Sequence, residues 1–91
     1  MSAFAIHGEL SIYRAADLKA PLLAALEAEG ELELDLSGVT EMDTAGLQLV
    51  LLAQREAGAC GKRMTLAACS EAVRDVLALC GIRIETAGEA A

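Results

Sequence analysis

The sequence has very few aromatic residues: one Phe, one Tyr and no Trp in 91 residues. Hydrophobic residues still make up 55% of the chain, so its core must consist of Leu, Val, Ile and Ala. Length and composition together predict one small domain over residues 1–91, with residues 86–91 fraying at the end.

Histidine and cysteine are also scarce. The single histidine, His7, lies near the start, so no Ser/His/Asp or Cys/His catalytic set is indicated. Cys60, Cys69 and Cys80 are widely spaced and form no C-x-x-C pair, which argues against a zinc site. We therefore predict no enzyme activity, no metal and no cofactor. We interpret the cysteines as free, mostly buried thiols in a reducing cytoplasm.

Positive charge is in short supply. Seven Lys and Arg residues stand against 14 Asp and Glu, which gives a formal net charge of -7. This charge disfavours nucleic acid and anionic membrane surfaces as partners. Strictly apolar runs such as Leu49 to Ala53 are too short to span a bilayer, and Met1 to Leu10 does not resemble a signal peptide. Composition thus predicts a cytoplasmic protein that meets a protein partner.

Hydrophobic periodicity predicts alternating strands and helices. Strand patterns occupy residues 2–7, 31–36, 62–67 and, briefly, 82–85; helical patterns occupy about 14–28, 44–59 and 70–80. Gly8 is expected at a bend or bulge, Ser37-Gly38 at a turn, and Pro21 at a bend within a helix. We predict an α/β fold with a mixed sheet of about four strands and helices packed mainly on one face.

The segment from Thr40 to Glu56 is the most informative part of the chain. Asp43 and Thr44 precede an apolar helix, and either side chain can cap its free N–H groups. The helix start favours an anion, so it would tolerate a phosphate on the Thr44 hydroxyl. The apolar residues that follow point to more than one side of the helix, which indicates a docking surface beside Thr44.

These residues resemble the motifs of STAS domains, the family of bacterial anti-sigma-factor antagonists. The resemblance rests on Gly8-Glu9-Leu10-Ser11 and Asp43-Thr44-Ala45-Gly46-Leu47, and it covers nearly the whole chain. It implies that a partner serine kinase phosphorylates Thr44. It also implies that the unphosphorylated form binds this kinase, which is an anti-sigma factor, and so frees a sigma factor for transcription.

Other partners fit the same resemblance. Some STAS domains are accessory subunits of lipid-asymmetry ABC transporters, which bind the ATPase subunit without phosphorylation, and others accompany chemotaxis kinases. In each case we expect a partner-binding surface at the turn after the first strand and at the start of the central helix. The predicted partner-binding residues are Glu9, Ser11, Asp43, Thr44, Ala45, Gly46, Leu49 and Leu52.

Overall fold

A computed structural model describes residues 2–28 and 30–86, and strands and helices alternate along the chain. The strands are β1 (Ser2–Leu10), β2 (Glu31–Met42) and β3 (Arg63–Cys69), and the helices are α1 (Ile12–Ala28), α2 (Thr44–Ala59) and α3 (Glu71–Leu79). The predicted alternation is therefore confirmed. Pro21 lies inside α1, as expected, and the fraying predicted for residues 86–91 falls mainly outside the described residues.

The sheet has the strand order β1-β2-β3, and within the described residues all of its pairings are parallel. The predicted mixed sheet of about four strands is not confirmed. The segment expected as a fourth strand makes only an isolated parallel bridge, between Leu66 and Thr86. Two alternating isoleucines, Ile82 and Ile84, suggested a strand, but so short a segment reaches β3 only at its last residues.

All three helices are expected on one face of this sheet. Parallel strands that follow one another side by side, joined by right-handed crossovers, place their connecting helices on the same face. The burial of β2 agrees, because Leu32, Leu34 and Leu36 are buried whereas Glu33 and Asp35 are partly exposed. The largest fully buried side chains are all aliphatic, as the composition predicted: Ile6, Leu10, Leu22, Leu32, Leu34, Leu36, Val50, Leu66 and Val73.

The pairing of β1 with β2 is irregular at two places, between Ala5 and His7 and between Gly8 and Glu9. Gly8 has a φ of 81°, which favours glycine, so the predicted bulge there is confirmed. The predicted turn at Ser37-Gly38 is wrong, because β2 continues through it to Met42. The extra residues of β2 are absorbed by the two irregularities, and the ends of both strands then meet, with Leu10 opposite Met42.

The cysteines correct another prediction. All three are free, but Cys60 and Cys80 are exposed and only Cys69 is partly buried. The exposed pair occupy the C-caps of α2 and α3, where the chain leaves the helix and the side chain has no core to enter. Burial raises the pKa of the Cys69 thiol, which favours its neutral form.

Candidate functional site

Two helices begin side by side at one carboxylate. α1 follows β1 and α2 follows β2, and these strands end opposite each other. Asp43 is the N-cap of α2, and its Oδ1 accepts a hydrogen bond from the Gly46 N–H at 2.9 Å. Its Oδ2 accepts a second hydrogen bond, from the Ile12 N–H in the first turn of α1, at 3.0 Å. A single side chain therefore satisfies free N–H groups of two helices.

These hydrogen bonds also set the charge of Asp43. They hold its pKa below the usual range, with the bond from Ile12 as the largest cause and the bond from Gly46 next. The carboxylate therefore stays ionised to lower pH than an ordinary aspartate, and its negative charge lies at the positive end of two helix dipoles.

The approach of α2 to β1 depends on Gly46. A Cβ atom at this position would lie 2.1 Å from the Leu10 carbonyl oxygen and 2.8 Å from its carbonyl carbon. Ordinary van der Waals contact begins near 3.4 Å, so only glycine fits without a shift of the backbone. The backbone N–H of Asp43 donates to the same Leu10 carbonyl oxygen at 3.3 Å, which closes the junction.

The turn between β1 and α1 is held by its own side chains. Ser11 Oγ donates to Glu9 Oε1 and accepts from the Tyr13 N–H at 3.3 Å. Arg14 Nη1 donates to the carbonyl oxygens of His7 and Glu9, the latter at 2.8 Å. The hydroxyl and the guanidinium thus fix the path of the chain into α1.

Thr44, the first residue of α2, is exposed. The cap predicted for either Asp43 or Thr44 is provided by Asp43, which leaves the Thr44 side chain at the surface. Its hydroxyl lies at a helix N-terminus, where the dipole favours an added anion. Asp43 directly precedes Thr44 and Glu41 lies three residues before it, so an added phosphate would strengthen an already negative surface.

An exposed apolar pair that the sequence analysis missed lies in the first turn of α1. Ile12 and Tyr13, in the first turn of α1, are 65% and 84% exposed. The hydrogen bond from Ile12 to Asp43 holds this turn next to the residue that precedes Thr44. The signal was available, because Tyr13 is the only tyrosine of the chain and directly follows an isoleucine. Large exposed apolar side chains at one place indicate a contact surface.

A groove of about 580 Å³ runs between α1 and α2. We call it the α1–α2 groove. It is lined by small and apolar side chains, one amide and two cations: Ala15, Ala16, Lys19, Ala45, Gln48, Leu49, Leu51, Leu52 and Arg55. Ala45 directly follows Thr44, so the groove extends from the phosphoacceptor candidate along both helices.

Comparison with known proteins now gives the family. A family model described as "Mlab, STAS domain" matches residues 2–84. The chain belongs to this STAS-domain family. No match was found among curated proteins.

The STAS assignment agrees with solved structures. The chain is similar to the anti-sigma factor antagonist SpoIIAA in its unphosphorylated form, with a TM-score of 0.74 and 26% identity. That match covers 89% of this chain and 73% of the other. The Bacillus cell fate determinant SpoIIAA in the phosphorylated form matches with a TM-score of 0.70 and 25% identity, covering 89% of this chain and 76% of the other.

In the STAS domain six of the eight predicted partner-binding residues lie at or next to the two helix starts, Leu49 and Leu52 lie further along α2, and three of the eight are buried. Ser11 is 6% exposed, Leu49 is 5% exposed and Gly46 is buried. These three are packed or hydrogen-bonded within the free domain, and Leu49 also lines the α1–α2 groove, so their contact with a partner stays a prediction. Glu9, Asp43, Ala45 and Leu52 are partly exposed, and Thr44 is exposed.

Within residues 2–28 and 30–86, no group of three or more His, Cys, Asp or Glu side chains is placed to hold a metal ion. None of the helices in that part is long and apolar enough to cross a membrane.

Proposed function

We propose that this STAS-domain protein is a cytoplasmic protein-binding switch of the anti-sigma-factor-antagonist type. Its unphosphorylated form binds a partner that is both a serine kinase and an anti-sigma factor, and phosphorylation of Thr44 weakens the complex. The role is binding rather than catalysis. The observation that carries this proposal is the exposed Thr44, directly after Asp43, whose carboxylate binds the turn of α1 that holds the exposed Ile12 and Tyr13.

The chemistry of the switch follows from that position. The partner's ATP transfers its γ-phosphoryl group to Thr44 Oγ, the hydroxyl proton passes to a base of the kinase, and ADP is released. The phosphate brings about -1.5 to -2 charges. The N-terminus of α2 stabilises this charge in the free protein, but a partner docked on Ile12 and Tyr13 must remove water from it. Binding therefore weakens although the fold is unchanged.

The similarity to SpoIIAA supports this reading. SpoIIAA is an anti-sigma factor antagonist with structures in unphosphorylated and phosphorylated forms, and this chain is similar to both. The similarity of one chain to both forms fits a switch that acts through local charge rather than through refolding.

A second candidate is an accessory subunit of a lipid-asymmetry ABC transporter that binds the ATPase subunit without phosphorylation. The description of the matching family favours it. The same surface would then be a permanent contact, with Thr44 as one contact residue. A chemotaxis-type signalling kinase as partner remains within the first proposal.

Capture of the tagged protein's partners, followed by mass spectrometry of both prey and bait, tests the proposal. We expect a kinase-type ATPase as prey and a fraction of the bait with phosphate on Thr44. Thr44→Ala should abolish the modification. Thr44→Glu should weaken binding of the purified partner by at least about tenfold, because it places a charge in a contact that must desolvate.

Matched variants separate the site from general effects. Ala78→Glu adds the same charge to an exposed position of α3 and should leave binding unchanged. Tyr13→Ala should weaken binding roughly fivefold or more, whereas Leu79→Ala, at an 87% exposed position of α3, should not. A transporter ATPase as prey, with unmodified Thr44 and full binding of Thr44→Glu, would favour the second candidate.

A further inference from the structure

The α1–α2 groove is bounded by a helix on each side. α1 and α2 both return from parallel strands on one face of the sheet, so they run in roughly the same direction. Ala15 and Ala16 on α1 and Leu52 on α2 line the groove between them. On the α2 side the lining runs from Ala45 to Arg55, a rise of about 15 Å or nearly three helical turns, and on the α1 side it runs from Ala15 to Lys19. The small alanine side chains leave room for a close approach.

The two basic residues that line this groove differ from most basic residues of the domain in their hydrogen bonding. Four of the seven basic residues make side-chain hydrogen bonds within the domain: Arg14, Lys62, Arg63 and Arg74. Within residues 2–28 and 30–86, no side-chain hydrogen bond or ion pair engages the other three, which are Lys19, Arg55 and Arg83. Lys19 and Arg55 both line the α1–α2 groove. In a chain with a net charge of -7, two cations without a partner along one apolar groove complement an acidic occupant.

We propose that the α1–α2 groove binds one amphipathic helix of the partner protein. Apolar side chains of that helix, spaced at i, i+3, i+4 and i+7, lie against Ala15, Ala16 and Leu52, and acidic side chains meet Lys19 and Arg55. This inference deepens the proposed function, on which it rests, because it gives the chemistry of the partner segment that docks beside Thr44. The acidic side chains keep the bound helix in one register, and the apolar contacts provide most of the affinity.

Two synthetic helical peptides of about 16 residues provide a direct probe. They share one apolar stripe at helical spacing and differ only in the flanking charges, which are Glu in one and Lys in the other. Fluorescence anisotropy with the full chain should show the Glu peptide binding at least about tenfold more tightly than the Lys peptide. The net charge of -7 alone would favour the Lys peptide, so this preference can arise only from local cations.

Charge reversal locates the binding. Lys19→Glu and Arg55→Glu should each weaken the Glu peptide at least about fivefold and improve the Lys peptide. Arg83→Glu is the matched control, because it makes the same charge change at an exposed cation outside the groove lining, and it should change either affinity less than about twofold. Thermal unfolding of each variant checks that the fold is retained.

Three outcomes would overturn the proposal. The first is the absence of saturable binding of either peptide, and the second is equal sensitivity to Lys19→Glu and Arg83→Glu. The third is a concentration-dependent dimer, seen by sedimentation equilibrium and abolished by Lys19→Glu, which would assign the groove to a second copy of this chain.

Binding of the captured partner to these variants distinguishes the groove proposal from the phosphorylation switch. If Thr44→Glu weakens the complex but Lys19→Glu matches Arg83→Glu, the switch stands and the groove proposal fails. If Lys19→Glu weakens the complex but Thr44→Glu does not, the groove proposal stands and the switch fails.

Discussion

The starts of α2 and α3 follow the same local rule but have different roles. Ser70 caps α3 by accepting a hydrogen bond from the Val73 N–H at 3.3 Å, a contact within one turn. Asp43 caps α2 in the same way and also accepts from Ile12, 31 residues earlier in the chain. The Ser70 cap serves the start of one helix, whereas the Asp43 cap joins the starts of two. A capping motif read from sequence therefore identifies a helix start but not whether that start belongs to a site.

The largest difference in the free energy of unfolding should appear between substitutions at two glycine positions of α2. Gly46→Ala places a Cβ against the Leu10 carbonyl, so we expect the free energy of unfolding to fall by about 3 kcal/mol. Gly58→Ala is the control in the same helix, because a Cβ there meets nothing within 4 Å. It should raise stability by about 0.5–1 kcal/mol through helix propensity. Urea unfolding of both variants measures the difference, and a loss equal in both would contradict the close approach at Gly46.

Removal of the N-caps at Asp43 and Ser70 should give the next largest loss of stability. Ser70→Ala should cost about 1 kcal/mol, the usual value for one N-cap. Asp43→Ala should lower the thermal midpoint further, because it leaves N–H groups of both α1 and α2 without an acceptor. Hydrogen exchange in the first turn of α1 should rise only in Asp43→Ala. Equal exchange there in both variants would show that the bond from Ile12 contributes nothing.

The smallest effect concerns acid stability. The pKa of Asp43 is lower in the folded state than in the unfolded chain, so its contribution to stability is present above the unfolded pKa, near 4. This contribution is lost as pH falls through the lower folded pKa. Asp43→Asn should therefore be less stable than wild type at neutral pH and approach wild type below about pH 4. Asp75→Asn, at an exposed position of α3, serves as the control. A constant gap between Asp43→Asn and wild type at every pH would contradict the shift.

The alternation of strands and helices could be predicted because it depends on local periodicity. Leu32, Leu34 and Leu36 alternate with acids, and the structure buries them as expected. The fourth strand could not be judged from Ile82 and Ile84, because two apolar residues do not show how far a strand pairs. The extension of β2 to Met42 was missed, since Ser37-Gly38 is typical of a turn but here lies at an irregularity of the parallel pairing.

The part of the site that lies within a sequence motif could be predicted. The sequence Asp43-Thr44-Ala45-Gly46 indicated a helix start with a displayed hydroxyl, and the structure has Thr44 exposed there. The burial of Ser11 and the placement of Lys19 and Arg55 along one groove depend on how α1 packs on α2, and no local pattern specifies this. The exposure of the cysteines at the helix C-caps was also missed, because residue type alone favours burial.

The contact at Gly46 has a consequence for genetics. The atom that a new Cβ would meet first is the main-chain oxygen of Leu10, and every amino acid has that oxygen. A smaller side chain at position 10 therefore cannot make room for a larger residue at position 46. A search for second-site revertants of Gly46→Ala should return no change at position 10. The revertants should instead carry changes that move the strand end away from the helix.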